Sequence, residues 1–274
     1  MKELDTLMKN RLEEKIKQAR QKGRKLFCLF LTFGYPSIAA TERLILSARD
    51  SGVDIIELGF PFSDPLADGP TIQYSSQESL KHNPSIRDAM RLVERLRRKG
   101  CELPIVYFGY LNPVFSYGEI KFAGDAKTAG FDGLILPDLP PEEETLLRRE
   151  CKRKNLCLVN LVAPTTSDER MKMLVRESQG FVYYVSLRGV TGVRRSLPSD
   201  LASRVKKIRE MTSKPVLVGF GVSTPNQAKL VARISDGVIV GSAVIREIQK
   251  GILSAERLIK RISRAVHLEP HKPL

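Results

Sequence analysis

Two carboxylates lie where the sequence favours acid–base chemistry. Glu57 ends an apolar run that starts at Val53, and an apolar setting raises the pKa of a carboxyl group toward neutral pH. Asp68 lies in the stretch 61–70, whose prolines restrict the backbone and whose Gly69 permits a tight bend. The alternatives are a structural ion pair for Glu57 and a turn-capping role for Asp68. We favour a catalytic role for Glu57, and composition leaves both roles of Asp68 open.

Glycines after two later candidate strands indicate an anion site. Gly219-Phe220-Gly221 and Gly241-Ser242 follow strands seven and eight, where many barrel enzymes hold phosphate with backbone amides. Ser242 is expected to open a helix whose N-terminal dipole favours an anion. The run Gly189-Val190-Thr191-Gly192 offers further amides. Tight strand-to-helix turns explain each glycine singly but not their joint placement, so we predict phosphate binding.

Short apolar segments alternate with amphipathic ones along the chain, and this pattern predicts parallel strands joined by helices. Eight strands close a barrel, so the sequence predicts an α/β fold, a (β/α)8 TIM barrel. An open doubly wound sheet is the alternative. The candidate strands cover residues 26–31, 53–57, 103–107, 133–136, 156–161, 181–186, 215–219 and 237–240.

Two connections are longer than barrels usually need, residues 59–76 and 187–199. Long ordered loops in compact domains are usually functional, and both are expected at the C-terminal mouth of the barrel, where active sites lie. Tyr110, Tyr183 and Tyr184 also lie near strand ends. Because only alternate strand residues face inward, at most one of Tyr183 and Tyr184 lines the barrel.

The whole chain, residues 1–274, is predicted to form one domain. Leu4, Met8, Leu12 and Ile16 make an apolar stripe on a charged segment, which predicts an extra N-terminal helix within residues 1–25 that caps the barrel bottom. The segment 267–274 has two prolines and no periodicity, and we expect a mobile tail.

Composition favours a soluble cytoplasmic protein. The chain is 42% hydrophobic and 28% charged, lacks a secretory signal, and has no apolar run approaching the ~18 residues that span a bilayer. Its net charge of +14 comes from basic residues at helical intervals, which argues against nucleic acid binding. No metal site is expected from its three histidines. The cysteines lack metal-binding spacing and are expected to be free thiols: Cys28, Cys101, Cys151 and Cys157.

The motifs together resemble one family. The long stretch from Glu57 to Gln73 is similar to the signature of tryptophan synthase α subunits. Further matches follow in order, and the resemblance covers roughly residues 26–262. These matches are Tyr110 with Asn112-Pro113, Pro137-Asp138-Leu139-Pro140, Ala163-Pro164-Thr165-Thr166, Gly189-Val190-Thr191-Gly192, Gly219-Phe220-Gly221-Val222-Ser223 and Gly241-Ser242-Ala243.

The resemblance implies a lyase of tryptophan biosynthesis that cleaves indole-3-glycerol phosphate into indole and glyceraldehyde 3-phosphate without a cofactor. It assigns the acid–base role to Glu57 and the carboxylate that accepts the indole N–H to Asp68. It also implies that Asp68, in a polar loop, stays ionised. The implied substrate-binding residues are Phe30, Ile72, Tyr110, Tyr183, Thr191, Gly192, Phe220, Gly221, Gly241 and Ser242.

The resemblance also implies a partner, a β subunit that holds pyridoxal phosphate, in an α2β2 heterotetramer. The loops that carry Asp68 and Thr191 are expected to close over the substrate and to communicate with that partner. Residues 106–112 depart from the family pattern in the middle of the stretch, which is expected to reshape the indole wall. The positive charge is also atypical of the family, and attraction of a dianionic substrate is our only explanation for it.

Two other functions compete with this hypothesis. One is a different phosphate-binding barrel enzyme, because fold and phosphate site alone do not define chemistry. Such enzymes commonly use a lysine at a strand end, and no candidate strand supplies one near Glu57. The other is a catalytically weak barrel that acts mainly as an allosteric partner of a β subunit.

Overall fold

The computed structural model describes residues 10–143, 146–186, 199–219 and 221–268. Within these ranges helices follow strands along most of the chain, as predicted. The strands are β1 Leu26–Thr32, β2 Ile55–Gly59, β3 Ile105–Phe108, β4 Gly133–Ile135, β5 Cys157–Leu158, β6 Asn160–Val162, β7 Val182–Val185, β8 Val216–Gly219 and β9 Gly237–Val240. The helices are α1 Arg11–Gln21, α2 Ile38–Asp50, α3 Pro70–Leu80, α4 Ile86–Arg98, α5 Leu111–Tyr117, α6 Glu119–Ala129, α7 Leu146–Arg153, α8 Asp168–Glu177, α9 Leu201–Glu210, α10 Pro225–Ile234, α11 Ser242–Gln249 and α12 Ile252–His267.

The nine strands fill eight positions of a barrel. All neighbouring strands pair in parallel, in the order β5-β4-β3-β2-β1-β9-β8-β7-β6. Only Val159 separates β5 from β6; β5 pairs with β4, and β6 pairs with β7. The segment 156–161, predicted as one strand, therefore joins the two ends of the sheet. The predicted TIM-barrel fold is confirmed. The alternative, an open doubly wound sheet, is wrong.

The barrel wall is buried on both faces, which explains its nearly continuous apolar strands. All residues of β1, β2 and β9 are buried. Helix α4 shows how the outer layer is built: Ser85 and Asp88 form a capping box at its N-terminus. Its buried face carries an apolar stripe, Ala89, Leu92, Val93 and Leu96.

Helix α1 closes the bottom of the barrel, as the apolar stripe predicted. The Asn10 side chain caps the helix by accepting from the Leu12 amide, and its Nδ2 donates to the carbonyls of Asp132 and Asn155. Those two residues precede β4 and β5, so α1 lies at the N-terminal ends of the strands. Leu12 is fully buried. Leu4 and Met8 lie outside the described residues.

Some boundaries differ from the predicted ones for physical reasons. The second strand begins at Ile55 rather than at Val53, because the Val53 amide donates to Ala48 at the end of α2. The connection expected to run from 59 to 76 ends earlier, since Pro70 begins α3 at the first helical position. Helix α12 extends through His267, into the segment assigned to the tail. Most of the second long connection, 187–198, lies outside the described residues.

Asp54 ties three elements together at the bottom of the barrel. Its fully buried carboxylate accepts from the Phe27 amide at 2.9 Å, pairs with Arg24, and lies 2.9 Å from His267 Nε2 at the end of α12. A buried carboxylate with this many partners is costly to disturb, because removing its charge leaves the partners unsatisfied.

We therefore expect Asp54→Asn to lower the free energy of unfolding by about 3 kcal/mol. Asp50→Asn is the matched control, since the Asp50 side chain is 66% exposed and pairs with Arg49 at the surface. Urea unfolding of both variants measures the difference. Equal stability of the two variants would show that the Asp54 contacts contribute nothing.

Candidate active site

Glu57 lies on β2 with its carboxylate turned into the barrel. Its Cα is in register with Phe30 on β1 and with Val106 on β3. The side chain is fully buried, and the Cys28 thiol donates to Glu57 Oε1 at 3.3 Å. Glu57 Oε2 has no hydrogen-bond partner in the described part of the chain. One carboxylate oxygen is thus held by the protein, and the other is buried without a partner among the described residues.

Burial controls the proton affinity of Glu57. Loss of solvent raises its pKa to about 8, against a weaker opposing effect of the Cys28 hydrogen bond. Glu57 is therefore mostly protonated at neutral pH. An acid in this state can donate a proton to substrate, and its conjugate base can take one back.

Asp68 lies in the loop that joins β2 to α3 and is tied down from several sides. Its amide donates to the Pro65 carbonyl, and Gln73 Nε2 donates to the Asp68 carbonyl. The Tyr110 hydroxyl donates to Asp68 Oδ2 at 3.2 Å and accepts from the Ala67 amide at 2.9 Å. Tyr110, at the end of β3, thereby fixes both the loop and its carboxylate.

The environment of Asp68 is less polar than the sequence suggested. The residue is 8% exposed, and burial raises its pKa to about 6, with the Tyr110 hydrogen bond opposing the shift. The pKa of Asp68 is nevertheless lower than that of Glu57, as expected. At neutral pH Asp68 is mostly ionised and Glu57 mostly protonated, which gives the site one acid and one anion.

Tyr183 lies within electrostatic range of both carboxylates. It lies on β7, which is not a neighbour of β2 in the sheet. Burial together with the charges of Glu57, Cys28 and Asp68 raises its pKa well above the ordinary value. Both carboxylates therefore act on the same interior position. Tyr184 follows in the strand and faces the opposite side, as strand alternation requires.

Aromatic and apolar side chains surround the carboxylates at the mouth. Phe30 packs edge-to-face on Phe108 with ring centroids 5.5 Å apart, and Tyr110 lies 5.2 Å from Phe62. Ile72, on α3, is 7% exposed. Sequence reasoning did not assign Phe62 or Cys28 to the site and treated Phe108 only as a departure. Cys28 and Phe30 are two residues apart on β1, so strand alternation is the signal that could have identified Cys28.

Glycines at the strand ends make room for these rings. A Cβ at Gly59 would lie 2.3 Å from Phe30 Cζ, and one at Gly219 would lie 2.5 Å from the Tyr183 hydroxyl. A Cβ at Gly241 would lie 3.1 Å from Phe30 Cβ. Gly241, predicted to bind phosphate, therefore also leaves space for Phe30.

The predicted phosphate residues are described in part. Gly241 is the N-cap of α11 and Ser242 its first residue, with no side chain capping the helix. Gly221 follows β8 with a φ of +81°. Thr191, Gly192 and Phe220 lie outside the described residues. No group of three or more His, Cys, Asp or Glu residues that could hold a metal ion occurs within the described ranges.

A closed barrel that holds a protonated glutamic acid and an ionised aspartate is the arrangement of a (β/α)8-barrel enzyme, and these two groups can support acid–base chemistry. Residues 16–271 match the family model described as "Tryptophan synthase alpha chain". The chain belongs to the tryptophan synthase α chain family.

Individual relatives agree over nearly the full length. The chain is 45% identical to the tryptophan synthase α chain of Thermoanaerobacter pseudethanolicus over 249 residues, which is 91% of this chain and 94% of the relative. It is 46% identical to that of Geobacter sulfurreducens over 229 residues, which is 84% of this chain and 86% of the relative. A structure of Mycobacterium tuberculosis tryptophan synthase superposes with a TM-score of 0.88 at 35% identity, covering 95% of this chain and 99% of that one.

Family membership confirms the expected class of reaction. The chain is a carbon–carbon lyase of tryptophan biosynthesis, and its reaction is cleavage of indole-3-glycerol phosphate. The alternative of a catalytically weak barrel is not favoured. The rival with a catalytic lysine is also disfavoured, because no strand described here ends in a lysine.

The contact between Gly59 and Phe30 yields a prediction. We expect Gly59→Ala to displace the Phe30 ring, to destabilise the protein by about 1–3 kcal/mol, and to lower kcat/KM at least about tenfold. Gly124→Ala is the control, since a Cβ there meets nothing within 4 Å. Thermal unfolding and indole release measure both effects. Normal turnover in Gly59→Ala would contradict a role for Phe30 in the site.

Proposed function

We propose that Glu57 is the general acid and base of the cleavage and that Asp68 stabilises the positive charge that develops on the indole ring. The observation that carries this proposal is that two buried carboxyl groups with pKa values near 8 and 6 act on the same interior residue, Tyr183. One reacting molecule can therefore contact both groups.

The chemistry divides between them in two steps. Glu57 first transfers its proton to indole C3; the C2–C3 double bond supplies the electron pair, and the ring nitrogen becomes positively charged. The Glu57 carboxylate then removes the proton of the adjacent side-chain hydroxyl. The carbon–carbon bond breaks, its electrons restore the indole double bond, and the hydroxyl carbon becomes the aldehyde of glyceraldehyde 3-phosphate.

Asp68 stabilises charge and transfers no proton in the proposed mechanism. As an anion it accepts a hydrogen bond from the indole N–H and stabilises the cationic intermediate between the two steps. Its ties to Tyr110 and Gln73 hold it in place before substrate arrives, so little reorganisation is required. Side chains supply both the proton transfers and the charge stabilisation, and we propose that no cofactor is needed.

The proposed substrate pocket places the two ends of the molecule in different surroundings. The proposed indole site consists of Phe30, Ile72, Tyr110 and Tyr183. We add Phe108 to it because its ring packs on Phe30. The phosphate end is assigned to backbone amides at the start of α11 and after β8. The residues proposed for it are Gly192, Gly221, Gly241 and Ser242. Phe220 is proposed to lie beside the indole, and Thr191 completes the proposed substrate-binding set.

We propose a β subunit as the partner, in an α2β2 heterotetramer. Leu66 is 89% exposed in the loop that carries Asp68, and Phe115 is 67% exposed on α5, the helix that begins directly after Tyr110. Apolar side chains this exposed suit a protein interface. Docking there would act directly on the loop held by Tyr110 and so on Asp68.

We propose one domain over residues 1–274, a cytoplasmic location and no nucleic acid partner. All four cysteines are buried and free. In the described part of the chain, no helix combines the length and the apolar character that crossing a membrane requires.

Neutral isosteres test the division of labour. We expect Glu57→Gln and Asp68→Asn each to lower kcat for indole release at least about 100-fold, because one removes the transferable proton and the other the charge. Glyceraldehyde 3-phosphate binding, measured by calorimetry, should change little in both. Glu94→Gln, on the exposed face of α4, is the control. Turnover is followed with and without the β subunit, and near-normal rates in Glu57→Gln would refute the proposal.

The two pKa values predict the pH dependence of kcat/KM. Glu57 must start protonated, so activity is lost as the pH rises through about 8. Asp68 must be ionised, so activity is lost as the pH falls through about 6. The profile should be bell-shaped with a maximum near neutral pH. The alkaline limb is the cleaner test, because a phosphate ester also titrates near pH ~6. A flat rate from pH 7 to 10 would rule out an acid role for Glu57.

A further inference from the structure

The Cys28 thiol lies directly beneath the carboxylate of Glu57. Parallel pairing of β1 with β2 puts Phe30 opposite Glu57 and Cys28 two residues earlier, on the same inward face. The thiol is fully buried and donates to Glu57 Oε1 at 3.3 Å. Neither residue can leave this arrangement easily, because both are on strands in the middle of the sheet.

This thiol is a donor that does not itself titrate near neutral pH. Burial, and secondarily the charge of Glu57, raises the pKa of Cys28 well above that of an ordinary thiol. Cys28 therefore remains an S–H group over the whole working range of the enzyme. It favours the charged form of Glu57 without ever competing for the proton.

The two carboxylate oxygens of Glu57 therefore differ in their hydrogen bonding. Oε1 already accepts the thiol hydrogen, whereas Oε2 is buried and has no partner among the described residues. An acid proton on Oε1 would reduce its capacity as an acceptor and would weaken the thiol contact. A proton on Oε2 preserves that contact and places the O–H group on the oxygen that has no partner among the described residues.

We propose that Cys28 is a positioning residue that holds Glu57 by Oε1 and thereby places the transferable proton on Oε2, toward the substrate. The inference rests on the proposed acid role of Glu57. It assigns a function to a cysteine that takes no part in the chemical steps themselves.

Few titratable groups compete for this role. From β1 the group facing Glu57 is Cys28, and from β7 it is Tyr183, while β3 contributes the apolar Val106 in register. Two other carboxylates act on these neighbours rather than on Glu57 itself. The charge of Asp68 raises the pKa of Tyr183, and the charge of Asp54 raises the pKa of Cys28. A change at Cys28 should therefore be felt first at Glu57.

Two substitutions should move the alkaline limb of kcat/KM in opposite directions. Cys28→Ala removes the donor, so the pKa of Glu57 rises and the limb moves to higher pH by about half to one unit. Cys28→Ser supplies a stronger donor, so the limb moves to lower pH. Cys28→Ala should also lose several-fold in kcat at the optimum, because the carboxyl group is no longer held.

Cys101→Ala and Cys101→Ser are the matched controls. Cys101 is likewise fully buried, but it precedes β3, at the opposite end of the barrel. These variants report the cost of losing a buried thiol and should leave the limb where it is in the unsubstituted enzyme. An unmoved limb in both Cys28 variants, or a shift in the same direction, would overturn the proposal.

A second measurement does not depend on how the Cys28 variants fold. Above pH about 8, where Glu57 is ionised, the S–H stretching band of Cys28, identified by its loss in Cys28→Val, should shift to higher frequency in Glu57→Gln, since an amide oxygen is a weaker acceptor than a carboxylate. An unshifted band would also overturn the proposal. If Glu57→Gln retains turnover, the assignment of Glu57 as the acid fails instead, so the two failures are distinguishable.

Discussion

The burial of one carboxyl group is the constraint on which the rest of the site depends. A glutamate side chain that has no solvent contact, and one oxygen without a partner among the described residues, is expensive to keep ionised, so it retains a proton near neutral pH. The barrel can hold such a group because its wall is formed by parallel strands buried on both faces. The cost is accepted inside the barrel, where a reacting molecule can supply the missing partner.

Asp68 complements Glu57 because it reaches the same space by a different route. It comes from a loop that is stiffened by proline and held by the Tyr110 hydroxyl, rather than from a strand. Its burial is less complete, and its pKa stays lower for that reason. In the proposed mechanism, the difference between the two surroundings gives one acid and one anion to a single reacting molecule. Contacts of α1, Asp54 and α12 hold the strands together at the other end of the barrel.

The sequence was sufficient for the order of the elements and directed attention to both carboxylates, because apolar periodicity and proline-rich loops are local signals; the catalytic roles of the two groups stay a proposal. It was insufficient for what depends on pairing between strands. The contact between Cys28 and Glu57, the packing of Phe108 on Phe30 and the split of one strand at Val159 all follow from register, which adjacent residues do not encode. The low exposure of Asp68 likewise depends on Tyr110, more than forty residues away.

A crystal structure of Glu57→Gln with intact indole-3-glycerol phosphate tests most directly whether the two acidic positions share one ligand. The amide of residue 57 should lie within about 3–3.5 Å of indole C3, and Asp68 within hydrogen-bond distance of the ring nitrogen. Phosphate should lie at the start of α11. An indole ring bound with Asp68 turned away from its nitrogen, or with C3 remote from residue 57, would contradict the proposed division of roles.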